Sequence, residues 1–293
     1  MNLSIVIPVY KDTSSLQELL PRLLAVAQKQ QLSYEIILVE DSGEETEWQQ
    51  LLTLQQQHPK NLVLIRLKHN VGQHYALWLG LHQAQGDILI TMDADLQHPP
   101  EEIPKLLAAL NPQGMELVYG TAREGHNKSR QLSSRLFNYL VHPLGKPVTR
   151  LACGFRAMRR ELLQRAVSAN QLFASIDTPL QAHAKHIKVV VTQHHNRHAG
   201  TSNYSTIGRL KLAATFIYRT DRFFRLLLLL SCLGIVSSAL LPKHISGWVT
   251  AAGFAILITT SMLHQKEKSR LRTLKKAIDM PDYNFINEQN GKE

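Results

Sequence analysis

Two aspartates two residues apart, at the end of an apolar run, have the most chemistry to offer in this sequence. In 91-TMDADLQHPP-100 they are Asp93 and Asp95, with Gln97 a further two residues on. Side chains two apart face the same way in extended backbone, so all three converge if the segment stays extended. Paired carboxylates suit a hard divalent cation. Mg2+ is typically held by one or two carboxylates together with substrate phosphates. The plainer reading has one Asp capping the helix that follows and the other solvated, and a bare Asp-x-Asp triplet favours neither. A net charge of +10 sharpens the question. Basic chains draw anionic partners: nucleic acid, a phosphorylated substrate or acidic lipid.

The elements around the triplet give it a place. Strand-like runs fall at 3–9, 35–40, 62–67, 87–92 and 116–120, and helical patterns near 14–31, 45–57, 72–85 and 100–110. Near-continuous apolar strands alternating with helices predict an α/β fold with a mostly parallel sheet covered on both faces. Such sheets bind ligands beyond the carboxyl ends of their strands. The candidate rim is therefore Pro8–Asp12, Glu40–Ser42, Lys68–Gln73 and Asp93–Gln97.

The last third of the chain differs. Segments 226-LLLLLSCLGIVSSALL-241 and 245-ISGWVTAAGFAILITTSML-263 carry no charge and are joined by 242-PKH-244. Spanning helices need about 20 apolar residues, so the pair reads as a transmembrane hairpin over 223–264. Five arginines and lysines from Arg209 to Arg225 precede it, and six from Lys266 to Lys276 follow it. The positive-inside rule puts both termini in the cytoplasm. The expected layout is a cytosolic domain over 1–204, an amphipathic juxtamembrane helix over 205–222, the hairpin, and a basic then polar tail over 265–293. The tail is expected on the inner leaflet or in an oligomer contact, which leaves a homo-oligomer open. Residues 129–141 form another basic amphipathic pattern suited to a membrane surface. Cys153 and Cys232 make no disulfide framework, since Cys232 lies inside the apolar segment. The opening 3-LSIVIPVY-10 reads as a buried strand rather than a secretory leader.

Taken together, SIVIPVY, 36-IILVEDS-42, 69-HNVGQHYAL-77 and 86-GDILITMDADLQHPPEEI-103 resemble the glycosyltransferase family 2 enzymes of GT-A fold. The order and spacing agree over roughly the first 120 residues. Segments 153-CGFRAMRR-160 and 197-RHAGTSNYS-205 look like that family's downstream motifs, and the hairpin extends the match to about residue 265. Within the family the chain is most similar to polyprenyl-phosphate sugar transferases, such as bactoprenol glucosyltransferases, undecaprenyl-phosphate aminoarabinose-type transferases and dolichol-phosphate mannose synthases. The resemblance implies site roles. Pro8, Tyr10, Asp12 and Asp41 would line the nucleotide pocket, and Asn70, Gly72 and Gln73 the turn beside the nucleotide-sugar. Asp93 and Asp95 would hold Mg2+ or Mn2+ and the diphosphate, with Gln97 and Arg156 completing the catalytic set. Arg130, Arg150, Arg197, Ser202 and Tyr204 would serve the acceptor phosphate.

Two positions depart from the family pattern. Arg150 stands where an Asp is common, and Asn203 where Lys is usual. The first loses a carboxylate and the second a cation, which Arg150 is expected to replace.

The implied reaction is inverting displacement at a sugar's anomeric carbon, with the nucleoside diphosphate of a UDP-sugar or similar donor departing. Metal-bound carboxylates offset the charge of that leaving group. A phosphate monoester needs no general base, because its second pKa is about 6. It needs cations instead, and Arg123, Lys128, Arg130, Arg135, Arg150, Arg156, Arg159 and Arg197 are the candidates, Arg suiting phosphate through its fork of donors.

Rival readings fare less well. A processive polysaccharide synthase lacks a channel and a QxxRW-type motif here. A non-catalytic membrane subunit fits the two departures but not the intact DADLQ. No GxGxxG follows the first strand, against a dinucleotide enzyme. Nucleic-acid binding explains the charge but not the hairpin. In 194-HHNRH-198 strand alternation separates adjacent histidines and no Cys is near, against a structural zinc site.

Overall fold

The computed structural model describes residues 2–11, 13–31, 33–58, 61–121, 153–168 and 175–195, five isolated positions between 253 and 265, and the pair 285–286. The chain divides into two units. The first comprises Met1–Asn127, Val148–Thr201 and Met280–Glu293, and the second Lys128–Pro147 and Ser202–Asp279.

The first unit is built on one sheet of eight strands, ordered β7-β5-β6-β4-β1-β2-β3-β8. These are β1 (Asn2–Val9), β2 (Ser33–Glu40), β3 (Leu62–Arg66), β4 (Ile88–Thr91), β5 (Leu117–Thr121), β6 (Arg156–Arg159), β7 (Ile187–Val191) and β8 (Phe285–Ile286). β1 pairs in parallel with β2 and β4, β2 with β3, and β5 with β7. Antiparallel β6 is wedged between β4 and β5, and antiparallel β8 adds to the edge of β3. Among the described residues of this unit the helices are α1 (Leu16–Lys29), α2 (Glu45–Gln57), α3 (Gln73–Gln83), α4 (Ile103–Leu110) after a 3-10 turn at Pro100–Glu102, α5 (Arg160–Ser168) and α6 (Asp177–His183).

Residue alternation decides which helix covers which face. Leu3, Ile5, Ile7 and Val9 of β1 share one buried core with Leu16, Leu19, Leu20 and Leu23 of α1, Trp48 and Leu51 of α2, and Ile103 and Leu106 of α4. The opposite face carries Val6 and Val39, against which α3 lies so close that a Cβ on Gly80 would stand 2.4 Å from Val6 Cγ1. α3 is apolar nearly all round, with Tyr75 through Leu81 buried, as a helix pressed tightly on a sheet must be.

The five expected strands and four expected helices all form, with ends displaced by a residue or two. β6 and β7 lie beyond those expectations, because RAMR shows no apolar alternation and IKVVV is half-exposed. The tail departs from expectation at one point. Phe285 and Ile286 pair with Ile65 and Leu64, so here backbone hydrogen bonding to an open sheet edge takes the tail, rather than the inner leaflet or an oligomer contact. The juxtamembrane patterns at 129–141 and 205–222 lie outside the described residues, as does the 223–264 hairpin apart from Gly253, Ile258, Ser261 and Met262. Among the described residues no helix is long and apolar enough to cross a membrane.

Candidate active site at the carboxyl ends of the strands

The parallel strands β1, β2 and β4 end side by side, and the segments leaving them form the rim. Asp41 directly follows β2. Its amide donates to Val9 O (2.9 Å). Its carboxylate accepts from the amides of Val71 (2.7 Å) and Gly72 (3.0 Å). Only 2% exposed, Asp41 is pushed up from 3.8 to about 6 by burial, against which the two amides work. Its two oxygens latch the turn that opens α3. Gly72 sits there at φ 94° and ψ 147°, a conformation essentially reserved for glycine. Asn70 and Gln73 flank it and are exposed.

Gln73 reaches from that turn to the triplet, donating its Nε2 hydrogen to Asp93 Oδ1 (2.6 Å). Asp93 lies against Gly154, where a Cβ would come within 2.6 Å of Oδ2. Thr91 Oγ1 donates to Gly154 O (2.7 Å) and holds the two segments together. Beyond Asp93 the chain does not stay extended. Residues 94–95 turn and Leu96 takes φ 59°. A leucine there is strained, by about 1 kcal/mol or more, but its side chain is buried in the core. The turn closes with the Gln97 amide donating to Asp95 Oδ1 (3.2 Å), so a side chain-to-backbone turn, not strand alternation, holds Asp95. Both carboxylates are partly exposed.

The Gln97 carbonyl accepts from the His195 amide (2.9 Å). His98 stacks on Phe155 (5.1 Å between ring centres) and meets His194 edge-on (5.0 Å). Burial, then His194, lowers His98 to about 4, so it is neutral at pH 7. Among the described residues no set of three His, Cys, Asp or Glu side chains is grouped to hold a metal ion.

Arg156 requires a correction. It is 1% exposed and forms a 2.5 Å ion pair with Asp177, so it points into the protein and not toward the rim where a substrate phosphate was expected. Arg159 is likewise committed, donating to Met115 O (2.9 Å) and Leu110 O (3.1 Å). Pro8 is the penultimate residue of β1, and Tyr10 follows the strand at the surface, 47% exposed, with the Lys11 ammonium 5.7 Å from its ring centre. Asp12, Arg130, Arg150, Arg197, Ser202 and Tyr204 lie outside the described residues. Sequence reasoning missed Asp177, Tyr119 and Gly154 as neighbours of the rim. The signal available was an acid in apolar surroundings, 175-SIDTPL-180, but nothing local pairs it with Arg156.

Comparison with known proteins agrees with this architecture. The family model for "Glycosyl transferase family 2" matches residues 4–166, more than half of the chain. The chain belongs to glycosyl transferase family 2. Among curated family 2 relatives, the undecaprenyl-phosphate 4-deoxy-4-formamido-L-arabinose transferase of Pseudomonas fluorescens (strain SBW25) is 37% identical over 214 residues, 71% of this chain and 62% of the relative. That of Pectobacterium atrosepticum is 35% identical, over 72% of this chain and 65% of the relative. The chain thus spans slightly under two thirds of these relatives. That of Pseudomonas syringae pv. syringae (strain B728a) is 35% identical over 81% of this chain and 72% of the relative. A solved glucosyl-3-phosphoglycerate synthase from Mycobacterium tuberculosis, in complex with Mn2+, UDP-glucose and phosphoglyceric acid, superposes with a TM-score of 0.52 at 17% identity, over 75% of this chain and 80% of that one. It shares the GT-A fold.

Proposed function

We propose that this family 2 glycosyltransferase moves a sugar from a nucleotide-sugar, of the UDP-sugar class, to a polyprenyl phosphate such as undecaprenyl phosphate, at the cytoplasmic face of a membrane. One observation carries the reading. Asp93 and Asp95 lie two residues apart where the chain leaves β4 at the rim of the sheet, partly exposed, with Gln73 and Gly154 fixing Asp93. Two hard oxygen donors match Mg2+ or Mn2+ whose remaining ligands come from phosphate and water, so the residues present fit such an ion. When bound, the metal offsets the charge of the departing nucleoside diphosphate. The chain's own residues then have separable roles. Asp41 and Gly72 shape the donor turn, Gln73 orients Asp93, and Pro8, Tyr10, Asp12 and Asn70 border the nucleotide. Gln97 closes the turn, while Arg130, Arg150, Arg197, Ser202 and Tyr204 receive the anionic acceptor. The relatives' names support the lipid phosphate.

Membrane attachment through 223–264 fits two further features. Ile258 and Met262, four residues apart, are 54% and 66% exposed, an apolar pair suited to lipid. The pairing of β8 with β3 puts residues on both sides of the hairpin into one sheet, as an even number of crossings would leave them. The test incubates sealed membranes carrying the protein with a panel of radiolabelled nucleotide sugars and undecaprenyl phosphate, with and without EDTA. Label entering the lipid fraction only with metal present is expected. No transfer from any donor would favour a non-catalytic membrane subunit.

A further inference from the structure

Behind the rim, a cation is buried where no phosphate can reach it. Arg156 lies in β6 opposite Thr91 of β4. Continuing that antiparallel register sets Gly154 opposite Asp93, in keeping with their close contact. Thr91, Asp93 and Arg156 therefore leave the sheet on the same face, at the diagonal spacing that a long side chain spans. Yet the guanidinium hydrogen-bonds Asp177, whose Oδ1 also accepts from Tyr119 OH (2.7 Å). Gln181 in turn donates to Tyr119 OH (2.9 Å), and Ser175 Oγ donates to the other Asp177 oxygen (3.1 Å). Buried ion pairs are often no more stable than apolar residues of similar size, so stability alone does not account for this one. Burial works against the charge on Arg156, but Asp177 and, to a smaller extent, Asp93 hold it protonated. Unit charges several ångströms apart at an effective dielectric of about 20 change binding by tenfold or more.

Resting on the proposed metal-dependent function, we propose that Asp177 is a positioning residue whose charge cancels that of Arg156, so that Asp93 keeps its full attraction for a divalent cation. The Gly-Phe-Arg stretch at 154–156 then sets the field under the cation site rather than holding phosphate. Without Asp177, a dry positive charge would lie one diagonal step from Asp93.

The test is Mn2+ binding to the full chain in detergent, read by electron paramagnetic resonance with UDP present, for Asp177→Asn, Arg156→Met and the double variant. Asp177→Asn is expected to weaken Mn2+ binding about tenfold. Arg156→Met should leave it equal or tighter, and the double variant should return it to near the parent value. Equal losses in all three, or no change in any, would overturn the inference. If Asp177→Asn fails to fold, the other two variants still decide it, because a purely structural role predicts that both bind Mn2+ worse. Mn2+ binding to the parent that Asp95→Asn abolishes, but that ignores the pair, would overturn this inference alone. No Mn2+ binding to the parent would overturn the proposed metal site as well.

Discussion

Asp41, Asp93 and Asp95 all stand at strand ends, yet their surroundings give them different work. Asp95 is partly exposed and accepts from the Gln97 amide of its own turn, and its hard oxygens suit a cation. Replacing it by Asn should lower sugar transfer about 10²–10³-fold, measured as label entering lipid, with little effect on thermal unfolding. Asp41 is buried and raised to about 6. Its folded pKa exceeds its unfolded value, so its contribution to stability is fullest below about pH 4 and is lost as pH rises through about 6. The shift corresponds to about 3 kcal/mol at most. Denaturation of the parent and Asp41→Asn between about pH 4 and pH 7.5 should show a decline with pH that the variant lacks. Below about pH 4, where Asp41 is a neutral acid, the two proteins should differ by no more than about 1 kcal/mol, since acid and amide each offer one strong accepting oxygen to the Val71 and Gly72 amides. An NMR titration of the Asp41 carboxyl with a midpoint near the ordinary value of about 4 would contradict the burial argument.

The elements matter through where they let backbones approach. Gly154 gives Asp93 its seat, since any Cβ would press on the carboxylate at 2.6 Å. Gly154→Ala is expected to weaken Mn2+ binding while costing little stability, because the group that must move is the end of a side chain. Gly80 lies at the opposite extreme. Its missing Cβ lets α3 contact Val6 and Val39 of two strands, and those branched side chains are locked in the sheet. Gly80→Ala should cost about 1–3 kcal/mol through overpacking, read from a urea midpoint. It should also raise the KM for donor, since α3 carries Gln73 at its first turn. Equal stability in the two glycine variants would contradict this division.

At the level of the whole molecule, the return of residues 285–286 to the edge of β3 is what the proposed two-helix hairpin over 223–264 requires, since it would keep its two flanks on one side of a membrane. Single cysteines placed at Lys243 and Glu293, in a Cys232→Ser background, test that directly. Lys243→Cys should react with an impermeant maleimide on intact cells, and Glu293→Cys only after permeabilisation. Cys153 adds little background, because burial pushes its thiol up to about 11. Labelling of both positions from outside would contradict the hairpin.

The sequence by itself determined the alternating strands and helices, the placing of the candidate residues at the carboxyl ends of the strands and the family, because each is written in local periodicity and in motifs of neighbouring residues. Asp93 and Asp95 were legible as rim residues for the same reason, although a turn at Leu96, rather than an extended segment, follows them. Only the tertiary structure decided that Arg156 is dry and paired with Asp177, that Gly154 seats Asp93, that Asp41 latches Gly72, and that the tail adds to the sheet. Those contacts join residues far apart in the chain, through strand register and burial, and no local pattern of residue types encodes which distant partner will neutralise a charge.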